Sequence, residues 1–244
     1  MKSIALIAIL TTAVIAQDAP APAPAPADAK PKRTLLKYTV PASASAGARS
    51  DGDGGSREKG EVLPKHAVLT PNHVAFTTQA QPSLFWFQDG PVKKDSAARV
   101  EVALIDPKNP KPLLKVGYPL SGQKDGGAGV HRVQLARYKV NLEPNIEYKW
   151  SVALVPNVKS RSQDSIASGV IKRIEPAAEL TAELAKPDTY KASAYLAKGV
   201  WYDALASLSD EIDAAPKDAE IRAARADLLE QVGLKSAADY ERKK

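Results

Sequence analysis

The chain of 244 residues contains no cysteine, one methionine, three phenylalanines and three histidines. Without cysteine there are no disulfides, no thiol nucleophile, no thiolate metal site and no residue for an N-terminal lipid anchor, so the ordered part must hold itself together by burial. The three histidines, His66, His73 and His131, form no i, i+4 pair and neighbour no carboxylate cluster, which argues against a metal centre. Gly-x-Ser-x-Gly, His-Glu-x-x-His and Gly-x-x-x-x-Gly-Lys are all missing, so no nucleophile, base and orienting group can be named together. We therefore expect no enzyme, no cofactor and no metal. The longest apolar run, Ile4 to Ile15, is short of the roughly 20 residues needed to span a bilayer. Excess charge is also scarce: the formal net charge of +6 is spread among nearly as many acids, with no basic helix or aromatic-rich strand motif, which speaks against nucleic acid.

What is present begins with an export pattern. Lys2 supplies a positive end, Ile4 to Ile15 an apolar stretch, and Val14-Ile15-Ala16 a small-residue cleavage site. Residues 1–16 are expected to be a signal peptide cleaved after Ala16, placing the protein in the periplasm or outside the cell. Ala19 to Pro26 alternates Ala and Pro, which favours extended polyproline II of about 25 Å at roughly 3.1 Å per residue. Residues 17–61 as a whole have too few large apolar side chains to offset folding entropy and are expected to be a disordered linker. Leu35 to Val40 is the one stretch there that suits an edge strand. Asp51-Gly-Asp-Gly-Gly55 has the first two ligands of a calcium loop, but Arg57 and Val62 stand where later ligands belong.

Residues 62–175 change character, with short alternating runs punctuated by Pro, Gly and Asn. Strands are predicted at His66 to Thr70, His73 to Thr78, Ser83 to Gln88, Arg99 to Asp106, Leu113 to Tyr118, Val130 to Leu135, Glu147 to Leu154 and Ser165 to Ile174. This is the pattern of an immunoglobulin-like antiparallel β-sandwich. Tyr148, Trp150, Val152 and Leu154 share one strand face, so one side is buried and one is wet. Gly126-Gly-Ala-Gly129 joins two strands and opens no helix, which makes it a turn and not a phosphate cradle.

Residues 176–244 switch to a period near 3.6, predicting helices at Ala177 to Ala185, Thr189 to Lys198, Trp201 to Ala214, Asp218 to Val232 and Lys235 to Arg242. Ala192, Gly199 and Ala204 recur 34 positions on as Ala226, Gly233 and Ala238, the spacing of stacked tetratricopeptide-like hairpins. One and a half such units are too few to stand alone, so their apolar face is expected to dock on the sandwich, with Trp201 at the interface.

Five segments in order, Leu69-Thr70-Pro71, Pro82-Ser-Leu-Phe-Trp-Phe87, Tyr148-Lys-Trp-Ser151, Ile171-Lys-Arg-Ile174 and Gly199-Val-Trp-Tyr-Asp-Ala-Leu205, resemble the bacterial domain-of-unknown-function 928 family over about Pro64 to Ala214. The resemblance implies an exported domain with no assigned activity and no catalytic residues to carry over. The cysteine that often follows the family's Tyr-x-Trp strand has no counterpart here, so neither has any redox or disulfide role.

The function expected is non-catalytic interaction within the cell envelope, with another envelope protein as partner. Tyr195, Trp201, Tyr202, Asp203 and Leu205 form the candidate patch, either partner-facing or interdomain. Asp203 is expected in the first turn of its helix, where its charge suits the dipole and replacement by Asn costs little. The alternative is binding of an envelope glycan such as peptidoglycan on sandwich aromatics, with Phe85, Trp86, Phe87 and Trp150 the side chains in question. Burial of Trp86 and Trp150 would remove that platform.

Overall fold

Alternating apolar residues in the middle of the chain and 3.6-periodic ones at its end build two sheets and a helical layer. The computed structural model describes residues 36–52, 63–94, 96–109 and 111–244. The expected signal peptide 1–16 and the Ala-Pro spacer lie outside the described residues. Eight strands are present among those described: β1 (His66–Val68), β2 (Ala75–Thr77), β3 (Ser83–Gln88), β4 (Arg99–Ile105), β5 (Leu114–Pro119), β6 (Gly129–Gln134), β7 (Glu147–Val155) and β8 (Ser165–Arg173). They form a three-stranded sheet in the order β1-β3-β6 and a five-stranded sheet in the order β2-β8-β7-β4-β5. The helices are α1 (Ala178–Leu184), α2 (Lys191–Ala197), α3 (Trp201–Ala214), α4 (Ala219–Gln231) and α5 (Lys235–Arg242).

The small sheet is the middle layer. All six residues of β3 are buried, which needs cover on both faces. One face carries Leu84, Trp86 and Gln88: Leu84 is in register with Val133 of β6, Trp86 with His131 of β6 and Val68 of β1, and Gln88 with His66 of β1. On that side the His66 Nε2 lies 3.1 Å from the Val152 carbonyl of β7, so this face looks into the sandwich. The other face carries Ser83, Phe85 and Phe87 and meets the helices, with Phe87 against Tyr240 of α5 at 5.4 Å between ring centroids. Large sheet, small sheet and helices therefore stack as three layers. The described residues fall within one compact unit, Arg33–Lys244, and the step at 175–176 is a change of layer inside it.

One expectation is corrected by the strand order. The sandwich is not wholly antiparallel: β2 pairs parallel with β8, Ala75 against Ile171 and Thr77 against Arg173, while the other named pairs are antiparallel. A parallel partner 96 positions away is invisible to local periodicity, which reports faces and not neighbours.

The linker expectation fails over 36–52. Leu36 and Tyr38 are buried, and the Tyr38 amide donates to Gln231 Oε1 of α4 at 3.0 Å. Leu36 to Val40 is extended but pairs with no strand, so it is not the edge strand expected; it lies on the helices. Further along, Ser50 bridges to Ser168 of β8 and Gly52 to His66 of β1. This stretch pairs with β1, an edge strand of the small sheet, and with β8 at Ser168, beyond the three residues that β2 covers, satisfying backbone groups that would otherwise be open to another chain. Its polar, small-residue composition hid this, because only two large apolar side chains are buried and the other fixing contacts are hydrogen bonds of the backbone and of polar side chains, with Arg49 donating to the Thr70 and Val232 carbonyls.

The candidate functional site at the sheet–helix seam

Helix α3 takes its position from the spacing of Trp201, Ala204, Leu205, Leu208 and Ile212, an apolar stripe buried along its length. It can start where it does because Gly199 adopts φ +71°, ending α2 in a left-handed turn while its amide donates to the Leu196 carbonyl at 3.1 Å. The first turn of α3 then meets the ends of β1 and β2 and the loop between them.

Three side chains in that turn form hydrogen bonds across the seam. The Trp201 indole donates to the Leu69 carbonyl at 2.9 Å. Trp150 of β7 donates its indole N–H to the Tyr202 hydroxyl at 2.9 Å, and that hydroxyl donates to Thr70 Oγ1 at 3.2 Å. Tyr202 has no exposed surface, and burial pushes its phenol well up from the ordinary tyrosine range. Asp203 accepts from both the Thr77 and Thr78 hydroxyls and from the Thr78 amide, the last at 3.0 Å. Burial raises its carboxyl pKa, and these donors oppose the rise. Asp203 does sit in the first turn of α3, but it is 5% exposed, so its main partners are the threonines of β2 and its flank, not the helix dipole.

Of the five residues in the predicted patch, Trp201, Tyr202, Asp203 and Leu205 are buried against the sheets. Tyr195 alone is partly open. It borders a cleft of about 310 Å³ with Gln79, Gln81, Lys191, Arg132, Ser207 and Asp210. Burial, then the charge of Asp203, raises the Tyr195 phenol pKa. Arg132 leaves β6 to cross the cleft, with Nη1 2.5 Å from Asp210 of α3, Nε donating to Ser83 Oγ at 2.8 Å and the guanidinium 5.4 Å from the Phe85 ring centroid. Sequence reasoning missed Thr77, Thr78 and Arg132. Two adjacent threonines ending a strand as buried as β2 were the available signal for the first two.

The four side chains expected as an aromatic platform are closed off. Trp86 and Trp150 are fully buried, and Phe85 and Phe87 nearly so. Trp86 is stacked on His131 at 4.1 Å, with His66 edge-on at 6.5 Å. The large apolar side chains exposed among the described residues are Val40, Leu113, Tyr138, Val158 and Ile166. No group of three or more His, Asp and Glu among the described residues is placed to hold a metal ion, and no described helix is long and apolar enough to cross a membrane.

The fold and seam define a two-sheet domain roofed by helices, joined through a buried Trp-Tyr-Asp turn. The chain belongs to the family described as Domain of Unknown Function (DUF928), whose sequence model matches residues 45–241. The match is longer at both ends than the motifs suggested and takes in α4 and most of α5. Comparison with curated proteins gave no match.

Proposed function

We infer that this protein is a non-catalytic interaction module of the cell envelope, docking another envelope protein at the cleft around Tyr195. The observation that carries this reading is how the motif's polar groups are used. Trp201, Tyr202 and Asp203 are committed to hydrogen bonds within the seam, while α2 and α3 turn Tyr195, Lys191 and Asp210, joined by Arg132 from β6, toward an open cleft. A tyrosine ring flanked by charges of both signs suits a protein surface. We further read the two sheets as immunoglobulin-like and the helices as tetratricopeptide-like. Supporting the latter, Gly199 and Gly233 both adopt positive φ, and Ala192, Ala204, Ala226 and Ala238 are all fully buried at their close-packing positions. In this reading the module works in the periplasm or outside the cell with residues 1–16 removed, which the N-terminal export pattern supports.

The test is a photo-crosslinking residue placed at Ser207 on the cleft rim of a signal-bearing copy in intact cells, with a control at exposed Ile166 on β8. The expected result is one envelope protein captured from position 207, recaptured in the reciprocal experiment and absent from position 166. Exported protein that captures nothing at 207, or the same set at both positions, overturns the reading.

A further inference from the structure

The stretch from Leu36 to Val40 is held as a ligand is held. Its buried residues alternate with exposed ones, Leu36 and Tyr38 inward, Lys37 and Thr39 outward, as in an extended peptide docked by one face. The Gln231 side-chain amide reads the backbone between them, accepting from the Tyr38 amide at 3.0 Å and donating to the Leu36 carbonyl at 2.7 Å. The Thr39 amide donates to the Leu196 carbonyl at the end of α2, at 3.1 Å. The Tyr38 ring lies edge-on to Trp201 at 5.1 Å and stacks on His73 at 5.7 Å, with its hydroxyl 3.2 Å from His73 Nε2. Gly199 is shaped to this occupant: a Cβ there would fall 2.4 Å from Pro41 Cγ and 2.9 Å from the Thr39 carbonyl oxygen.

The groove and its occupant differ in one respect. Leu196, Gly199, Trp201 and Gln231 all lie inside the family match at 45–241, whereas Leu36 to Pro41 lies outside it. The receiving residues lie within the family match, and the segment that fills the groove precedes it.

We propose that the groove between the ends of α2 and α4 is a peptide-docking site, occupied in cis by residues 36–40, whose partner ligand is an extended segment with a large aliphatic residue and a tyrosine two positions apart. A partner segment of that kind competes with the chain's own. Backbone reading by Gln231 supplies affinity for any extended peptide, and the pockets under Leu36 and Tyr38 supply selection. This site is separate from the Tyr195 cleft, so either proposal can fail alone.

The test uses the full chain and a fluorescent synthetic peptide of residues 34–41. In the double variant Leu36→Asp, Tyr38→Asp, the in-cis segment is driven off and the peptide is expected to bind saturably. Binding to the unaltered chain should be at least tenfold weaker, because its groove is filled. Adding Gln231→Ala to the double variant removes two hydrogen bonds and should weaken the peptide by about tenfold. If the double variant does not fold, a protease site replacing exposed residues 42–43 in the otherwise unaltered chain gives a second route. The folded chain is cut there, and the labelled peptide should exchange for the released segment. Absence of saturable binding to the folded double variant, absence of exchange into the cut chain, or equal binding to the unaltered chain overturns the proposal.

Discussion

Replacing Asp203 gives the sharpest test of the seam. The carboxylate takes three hydrogen bonds, from the Thr77 hydroxyl, the Thr78 hydroxyl and the Thr78 amide, at a site 5% exposed. Hydrogen bonds to a charged group are worth about 1.5–3 kcal/mol and neutral ones about 0.5–1.5 kcal/mol. Asp203→Asn therefore weakens each bond by about 1 kcal/mol, and relief of the buried charge offsets part of the sum. The carbonyl oxygen can face the Thr78 amide while the new NH2 turns to Thr77, whose hydroxyl can rotate to accept it. We expect a net loss of about 2 kcal/mol. Asp203→Ala leaves three donors without their acceptor and should cost about 4 kcal/mol. For a unit of this size 1 kcal/mol moves Tm by about 2–4 °C, so the expected falls are roughly 4–8 °C for Asn and 8–16 °C for Ala. Differential scanning calorimetry at pH 8, supported by urea unfolding, gives both numbers. A Tm for Asp203→Asn within about 1 °C of the unaltered protein would refute the seam account and restore a surface role for this carboxylate.

Gly199→Ala should cost more than Gly233→Ala in urea unfolding. Both residues have positive φ, which costs alanine about 1 kcal/mol, but only at 199 would the Cβ also strike Pro41 and Thr39. Tyr202→Phe removes the partner of both Trp150 Nε1 and Thr70 Oγ1 and should destabilise by about 1–3 kcal/mol without altering the far-ultraviolet circular dichroism. Glu241→Gln breaks the buried pair with Arg225, whose Nη2 lies 2.7 Å away, and should destabilise by about 3 kcal/mol; Arg225→Met with Glu241→Leu should recover most of that loss. Burial lowers the pKa of both His66 and His131, so the folded state binds fewer protons there than the unfolded chain. Their contribution is complete above the unfolded value near 6.5 and is lost as pH falls below it toward the lowered folded values. The urea midpoint should accordingly drop between pH 7 and pH 5, and the drop should shrink in His66→Gln, His131→Gln.

The elements themselves were legible and their neighbours were not. Tyr148, Trp150, Val152 and Leu154 do share the buried face of β7, and α3 begins at Trp201 and ends at Ala214 as its periodicity predicts. Period encodes which face a residue takes, so the burial of Phe85 and Trp86 on opposite sides of β3 was readable from their alternation. Pairing across long sequence separation was not. Nothing near Ala75 announces Ile171, and nothing near Asp203 announces Thr77, 126 positions away. Residues 36–52 escaped because composition measures how much apolar surface a stretch can bury alone, whereas this stretch borrows its burial from α2, α3 and α4. The side chains of the candidate patch are divided between a buried seam, which takes Trp201, Tyr202, Asp203 and Leu205, and an open cleft bordered by Tyr195.

The account depends on the helices being a closed layer of the domain, with the Trp-Tyr-Asp turn locked under them. Hydrogen exchange of the tryptophan indole N–H groups, followed by NMR in the full chain, measures this directly. Trp150 and Trp201 donate to Tyr202 and Leu69 across the seam, and both are fully buried. Their indole protons should exchange only through global unfolding, with the same free energy that urea unfolding gives and the same loss in Asp203→Asn. Exchange of either proton within minutes at pH 7, while backbone amides of β4 and β7 stay protected, would show the helical layer swinging free of the sheets and would contradict the account.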